Sequence, residues 1–129
     1  MESRLKKLEE LTAKLPVLGE GIQMNETIYK LEGGVAKSVS LLAKDTVNVA
    51  HTVCEAGVKW QRHNHEGRES LGVVRGKGIF YMNGNDPVEI TVGDIFIIDP
   101  GVPHWMDCET EMELVAFVIP SDPGYPTNE

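Results

Sequence analysis

Four side chains in this sequence of 129 residues have the types and spacing for metal chemistry. His63 and His65 lie two apart, and on a β-strand residues i and i+2 project to the same side, so both imidazoles would enter one space. Glu69 follows Glu66-Gly67-Arg68, and a turn at Gly67 would set it on the neighbouring strand, beside the histidines. A third imidazole, His104, comes after the loop Asp99-Pro100-Gly101-Val102-Pro103. Three imidazoles and one carboxylate suit one divalent transition metal, with Mn, Fe, Ni, Zn, Co and Cu all chemically admissible. The simpler alternative for His-x-His alone is a pair of surface histidines on an exposed strand.

The elements that would carry these residues are short and β-rich. Candidate strands are Ser38–Ala43, Thr46–Glu55, Val58–His65, Ser70–Val74, Gly78–Met82, Val88–Val92, Ile95–Ile98 and Met112–Ile119. Glycines at 57, 67, 76, 84, 93 and 101 punctuate them, and turn signals at that rhythm between Val, Ile and Phe runs indicate an antiparallel sandwich or barrel. Asn83-Gly84-Asn85-Asp86 has the composition of a hairpin turn. Leu5, Leu8, Leu11 and Leu15 form a helical stripe ended by Pro16, with Glu2–Lys6 and Glu10–Lys14 as favourable i,i+4 pairs. Such a short amphipathic helix must bury its leucines, either on its own domain or on a second subunit. The tail SDPGYPTNE is rich in turn formers and is expected to run over the surface.

The stretch Gly57-x5-His63-x-His65-x3-Glu69-x6-Gly76 resembles the first motif of the cupin superfamily at all five defining positions. For the second motif, Gly93, Gly101 and His104 fall in register, while Asp99 stands where the family has proline and Cys108 where it has asparagine. Neither departure removes a ligand. The resemblance implies an all-β fold, an antiparallel double-stranded β-helix of the jelly-roll or cupin-barrel type, to which the chain adds the short N-terminal α-helix. It divides the chain into an N-terminal helix and entry segment (1–36), a barrel (37–120) and a tail (121–129). It also implies a metal held inside the barrel by His63, His65, Glu69 and His104, with Glu69 able to double as a catalytic base. Four protein ligands on an octahedral metal would leave two positions for water, dioxygen or a bidentate substrate.

Strand parity nominates further pocket residues. With His63 and His65 inward, Gln61 also points inward, and Lys59 lies nearer the rim. On the return strand Leu71 and Val73 share the face of Glu69, and Met106 shares the face of His104. One of Phe80 and Tyr81 faces inward; Tyr81 is carried with Gln61, Leu71, Val73 and Met106 as a candidate ligand-binding residue. His51, Cys54 and Cys108 read as structural, although Cys108 could approach the pocket.

Two function classes follow. One is a metal-dependent enzyme (oxygenase, decarboxylase, isomerase or lyase) acting on a small polar organic molecule. The other is a non-enzymatic cupin module that binds or senses a small ligand and acts through a partner. Twenty acidic against twelve basic residues, a net charge of −8, disfavour nucleic acid and anionic membranes as partners. The charged N-terminus has no apolar signal core, and two cysteines suit a reducing compartment, so a cytoplasmic location is expected. A homodimer is expected too: parity puts Trp60 and Trp105 outside the barrel, and with the leucine stripe they would leave more apolar surface than a monomer usually exposes.

Overall fold

The computed structural model describes residues 19–123 and Tyr125. These form ten strands: β1 (Ile22–Leu31), β2 (Gly34–Ala43), β3 (Val47–Cys54), β4 (Lys59–His63), β5 (Arg68–Arg75), β6 (Gly78–Met82), β7 (Val88–Ile90), β8 (Ile95–Ile98), β9 (His104–Cys108) and β10 (Met112–Ile119). They build one sheet in the order β1-β2-β3-β10-β5-β8 and a second in the order β4-β9-β6-β7, with neighbouring strands antiparallel. The all-β jelly-roll expectation holds for the described residues. The N-terminal helix falls outside them. Among them, no helix is long and apolar enough to cross a membrane.

Alternation drives the architecture. Along β10 the residues Met112, Leu114, Ala116 and Val118 are buried, while Phe117 and Ile119 are exposed, the period-two pattern of a half-buried strand. Met112, Leu114 and Ala116 meet Leu71 and Val73 from β5, Ile98 from β8 and Phe80 from β6 in one core between the sheets. Each such fully buried side chain contributes roughly 1.5–3 kcal/mol. The turn from β6 to β7 forms at Asn83–Asp86 as its composition suggests: Gly84 has φ 85°, and Asn85 N–H donates to Met82 O at 3.0 Å.

The expected runs omit β9, and they leave β1 only as the one edge strand that the entry segment could hold. β1 and the first part of β2 extend the large sheet back to Ile22, so the sandwich begins well before residue 37. β1 has mostly exposed residues and no apolar alternation, because it lies at the sheet edge and pairs only with β2. β9 is the short strand that delivers His104; it is recognisable from the second motif but not from hydrophobic runs.

Candidate metal centre

A bulge in β4 sets the geometry of the site. Trp60 pairs with Met106 and His63 with His104, so three residue steps on β4 oppose two on β9. The extra residue reverses parity between Trp60 and His63, and both point inward. This corrects the strand-parity reading at two places. Gln61 is exposed and lies outside the cavity lining, while Val58 (0% exposed) and Trp60 (7%) are core residues rather than outward ones. Only the main-chain carbonyl of Gln61 reaches the site, accepting a hydrogen bond from His63 Nδ1 at 2.8 Å.

The three imidazoles converge. One ring nitrogen from each of His63, His65 and His104 lies within 4.8 Å of the others, and all three residues are buried. Each ring is fixed in the same way: Nδ1 faces a backbone carbonyl two residues away, Gln61 O, Gly67 O (3.0 Å) and Val102 O (2.9 Å) respectively. A ring nitrogen facing a carbonyl must carry the proton, so Nε2 is the atom each ring offers to a cation, on His65 once the proton it shares with Glu69 has left. His65 lies just past β4, and Gly67 holds the return to β5. A Cβ at Gly67 would run into Val118 Cγ1 and the Pro120 carbonyl, so this glycine serves close approach rather than an unusual φ. Gly76 serves both, with φ 88° and the Glu111 carbonyl against it.

Glu69 stands beside the three imidazoles. Its Oε1 lies 3.0 Å from His65 Nε2 and 3.4 Å from His104 Nε2, and its Oε2 accepts a hydrogen bond from the Tyr125 hydroxyl at 2.7 Å. Burial works against the charge of Glu69, but the contacts of His104, His65 and Tyr125 outweigh it and hold the carboxyl down at about 2. His65 faces acceptors on both nitrogens. Burial opposes its charge, yet the hydrogen bond and charge of Glu69 prevail and raise its pKa. Burial, and then the neighbouring His104, push His63 down to about 4.

The donor set fits a metal. His104 Nε2 is buried and has no hydrogen-bond partner, although Glu69 Oε1 stands only 3.4 Å away. A buried ring nitrogen this close to a carboxylate oxygen, with no hydrogen bond joining them, is satisfied by a cation placed between the two. Three neutral-capable imidazoles and a carboxylate are the donors such a cation takes.

The remaining candidates separate. Leu71 and Met106 line the cavity, whereas Val73 is buried in the core without lining it. Phe80 faces inward, its ring 6.0 Å from His104. Tyr81 is therefore corrected to the outer face, where it stacks on Trp105 and its hydroxyl donates to Asp107 Oδ2 at 2.9 Å. The tail also departs from expectation. Tyr125 does not lie on the surface but packs edge-on against His65 and reaches Glu69. Sequence reasoning missed Tyr125, Trp60 and Phe80, and only Phe80 had a signal, the unresolved alternation with Tyr81. Cys108 lies in the core beside Cys54, whose sulfur accepts from Trp60 Nε1 at 3.2 Å. The Cys54 contact and burial push the Cys108 thiol up, so it stays protonated and inert. His51 pairs with Glu113 at 2.9 Å, away from the centre.

Comparison with known proteins agrees with this fold. A segment of 50 residues is 38% identical to acireductone dioxygenase of Aquifex aeolicus, covering 36% of this chain and 27% of that protein's length. A predicted oxalate decarboxylase of Thermotoga maritima superposes with a TM-score of 0.63 at 26% identity, covering 83% of this chain and all of that one (100%). An RmlC-like cupin of Shewanella frigidimarina superposes with a TM-score of 0.67 at 20% identity over 87% of this chain and 96% of its own. The cupin-domain family model matches residues 51–120, which contain the bulged strand, all three histidines and Glu69. The chain belongs to the cupin family.

Proposed function

We propose that the chain is a metal-dependent enzyme acting on a small polar organic molecule, with one divalent transition metal held by His63, His65, Glu69 and His104. The observation that carries this reading is the orphaned Nε2 of His104 beside the ionised Glu69. A metal bound there supplies Lewis acidity toward a substrate oxygen, or a site for dioxygen. The chain's own groups do the rest. The backbone carbonyls of Gln61, Gly67 and Val102 keep the imidazoles oriented. The Tyr125 hydroxyl restrains Oε2 of Glu69, leaving Oε1 to bind the metal or to take a substrate proton as catalytic base. Leu71, Phe80 and Met106 keep bulk water from the reacting atoms. The partial likeness to a dioxygenase and to a predicted decarboxylase supports an oxygenase or decarboxylase; isomerase and lyase chemistry would use the same centre.

Elemental analysis of protein purified without a metal-affinity tag tests the reading. Stoichiometric metal in the native chain, and its loss from His63→Ala, His65→Ala and His104→Ala with circular dichroism unchanged, is the expected result. Unfolding of all three variants would make the site structural and end the open-site argument.

Homodimer formation remains part of the proposal, but on a different face. Trp60 is buried and Trp105 is half-covered by Tyr81, so neither needs a partner. Ile95 (78% exposed), Ile97, Phe117 and Ile119 instead stand on the outer face of the large sheet, on β8 and β10 either side of Ser70 and Gly72 of β5, and they support pairing there. The two free, buried thiols support a reducing, cytoplasmic location.

A further inference from the structure

The cavity beside the histidines is small and its wall is apolar. Its volume is about 50 Å³, room for a few groups the size of water, each needing roughly 10–15 Å³. Leu71, Phe80, Met106, Leu114 and Ala116 contribute to that wall, and among the described residues no Lys or Arg does. Two polar groups of the wall beyond the candidate ligands are already committed: Thr52 donates to Ser38 Oγ at 3.1 Å, and Tyr125 donates to Glu69. A divalent metal beside one ionised carboxylate leaves a single positive charge, which one anionic group neutralises. Among the described residues that line the cavity, none would pair a second anionic group held against its hydrocarbon wall.

From this wall, and resting on the metal reading above, we infer that the site takes a compact chelating ligand with one negative charge and an apolar remainder, and rejects dicarboxylates. Lactate and malate are a matched pair of probes. They share the hydroxycarboxylate head, and malate adds a second carboxylate at the other end. Both are titrated into the full chain carrying the metal it retains on purification. Binding is read by calorimetry and by the emission of Trp60, which forms part of the cavity wall.

Lactate should bind at least about tenfold more tightly than malate, because an unpaired buried carboxylate is strongly disfavoured. Ala116→Val, which fills the cavity without touching a ligand nitrogen, should weaken lactate binding and leave metal content unchanged. If that variant fails to fold by circular dichroism, the native lactate-to-malate ratio decides alone. Equal or tighter binding of malate overturns the inference. With metal retained, failure of both probes to bind also overturns it and leaves the metal reading standing. A native chain that holds no metal removes both.

Discussion

Replacing Glu69 by glutamine keeps the size of the side chain and removes its charge, which makes it a direct measure of the electrostatics of the metal-free site. The carboxyl is held at about 2 against an ordinary value of 4.5. At about 1.4 kcal/mol for each tenfold step, that gap amounts to roughly 3 kcal/mol in favour of the native state. Because the native value lies below the unfolded one, this stability is fully present above pH 4.5 and is lost as pH falls through about 2. The side chain is 4% exposed, so solvent screening takes little from the figure. The glutamine oxygen can still accept from Tyr125, but the charge that stabilises protonated His65 is gone. The expected cost of Glu69→Gln at neutral pH is therefore about 2–3 kcal/mol. In urea unfolding of chelator-treated protein, followed by tryptophan emission, the midpoint should fall by roughly 1–2 M. Below pH 4.5 the native chain should lose its advantage over the variant, and in the variant the His65 imidazole resonances should titrate at lower pH. An unchanged or raised midpoint at neutral pH would refute the reasoning, because it would mean that the buried carboxylate gains nothing from its three neighbours.

Metal affinity should weaken as pH falls from about 7 to 5, by up to about tenfold per unit, because the proton on His65 Nε2 must leave before that atom can ligate. His63, pushed down to about 4, adds its proton competition only below that window; competition with a chromophoric chelator measures the curve, and a flat one would exclude His65 as a ligand. Gly67→Ala should cost about 1–3 kcal/mol and also weaken metal binding, since the new Cβ meets the Pro120 carbonyl and displaces the residue that orients His65. A variant with native urea midpoint and native affinity would contradict the close-approach argument. Ile95→Lys combined with Ile97→Lys should halve the mass measured by light scattering at micromolar concentration. A native chain that is already monomeric would remove the dimer.

The spacing of His63, His65, Glu69 and His104 carried the candidate centre, because ligand side chains two apart near a strand end, and a glycine-bounded return, leave few alternatives for where the groups can go. Strands such as β6, β8 and β10 were equally legible, since half-buried strands write their alternation into the sequence. The lining of the cavity was not. Gln61 and Trp60 exchanged faces because one extra residue in β4 opposes nothing on β9, and a bulge depends on the partner strand, which no local pattern encodes. Tyr81 and Phe80 alternate identically in either register, and only the pairing of Phe80 with Met106 turns Phe80 inward. Tyr125 reaches Glu69 across 56 positions of sequence, from a tail whose composition spells only turns. The sequence determined which donors exist and that they share one space; the tertiary structure decided which side chains enclose them, because enclosure is set by pairing between distant strands and not by the period of any one of them.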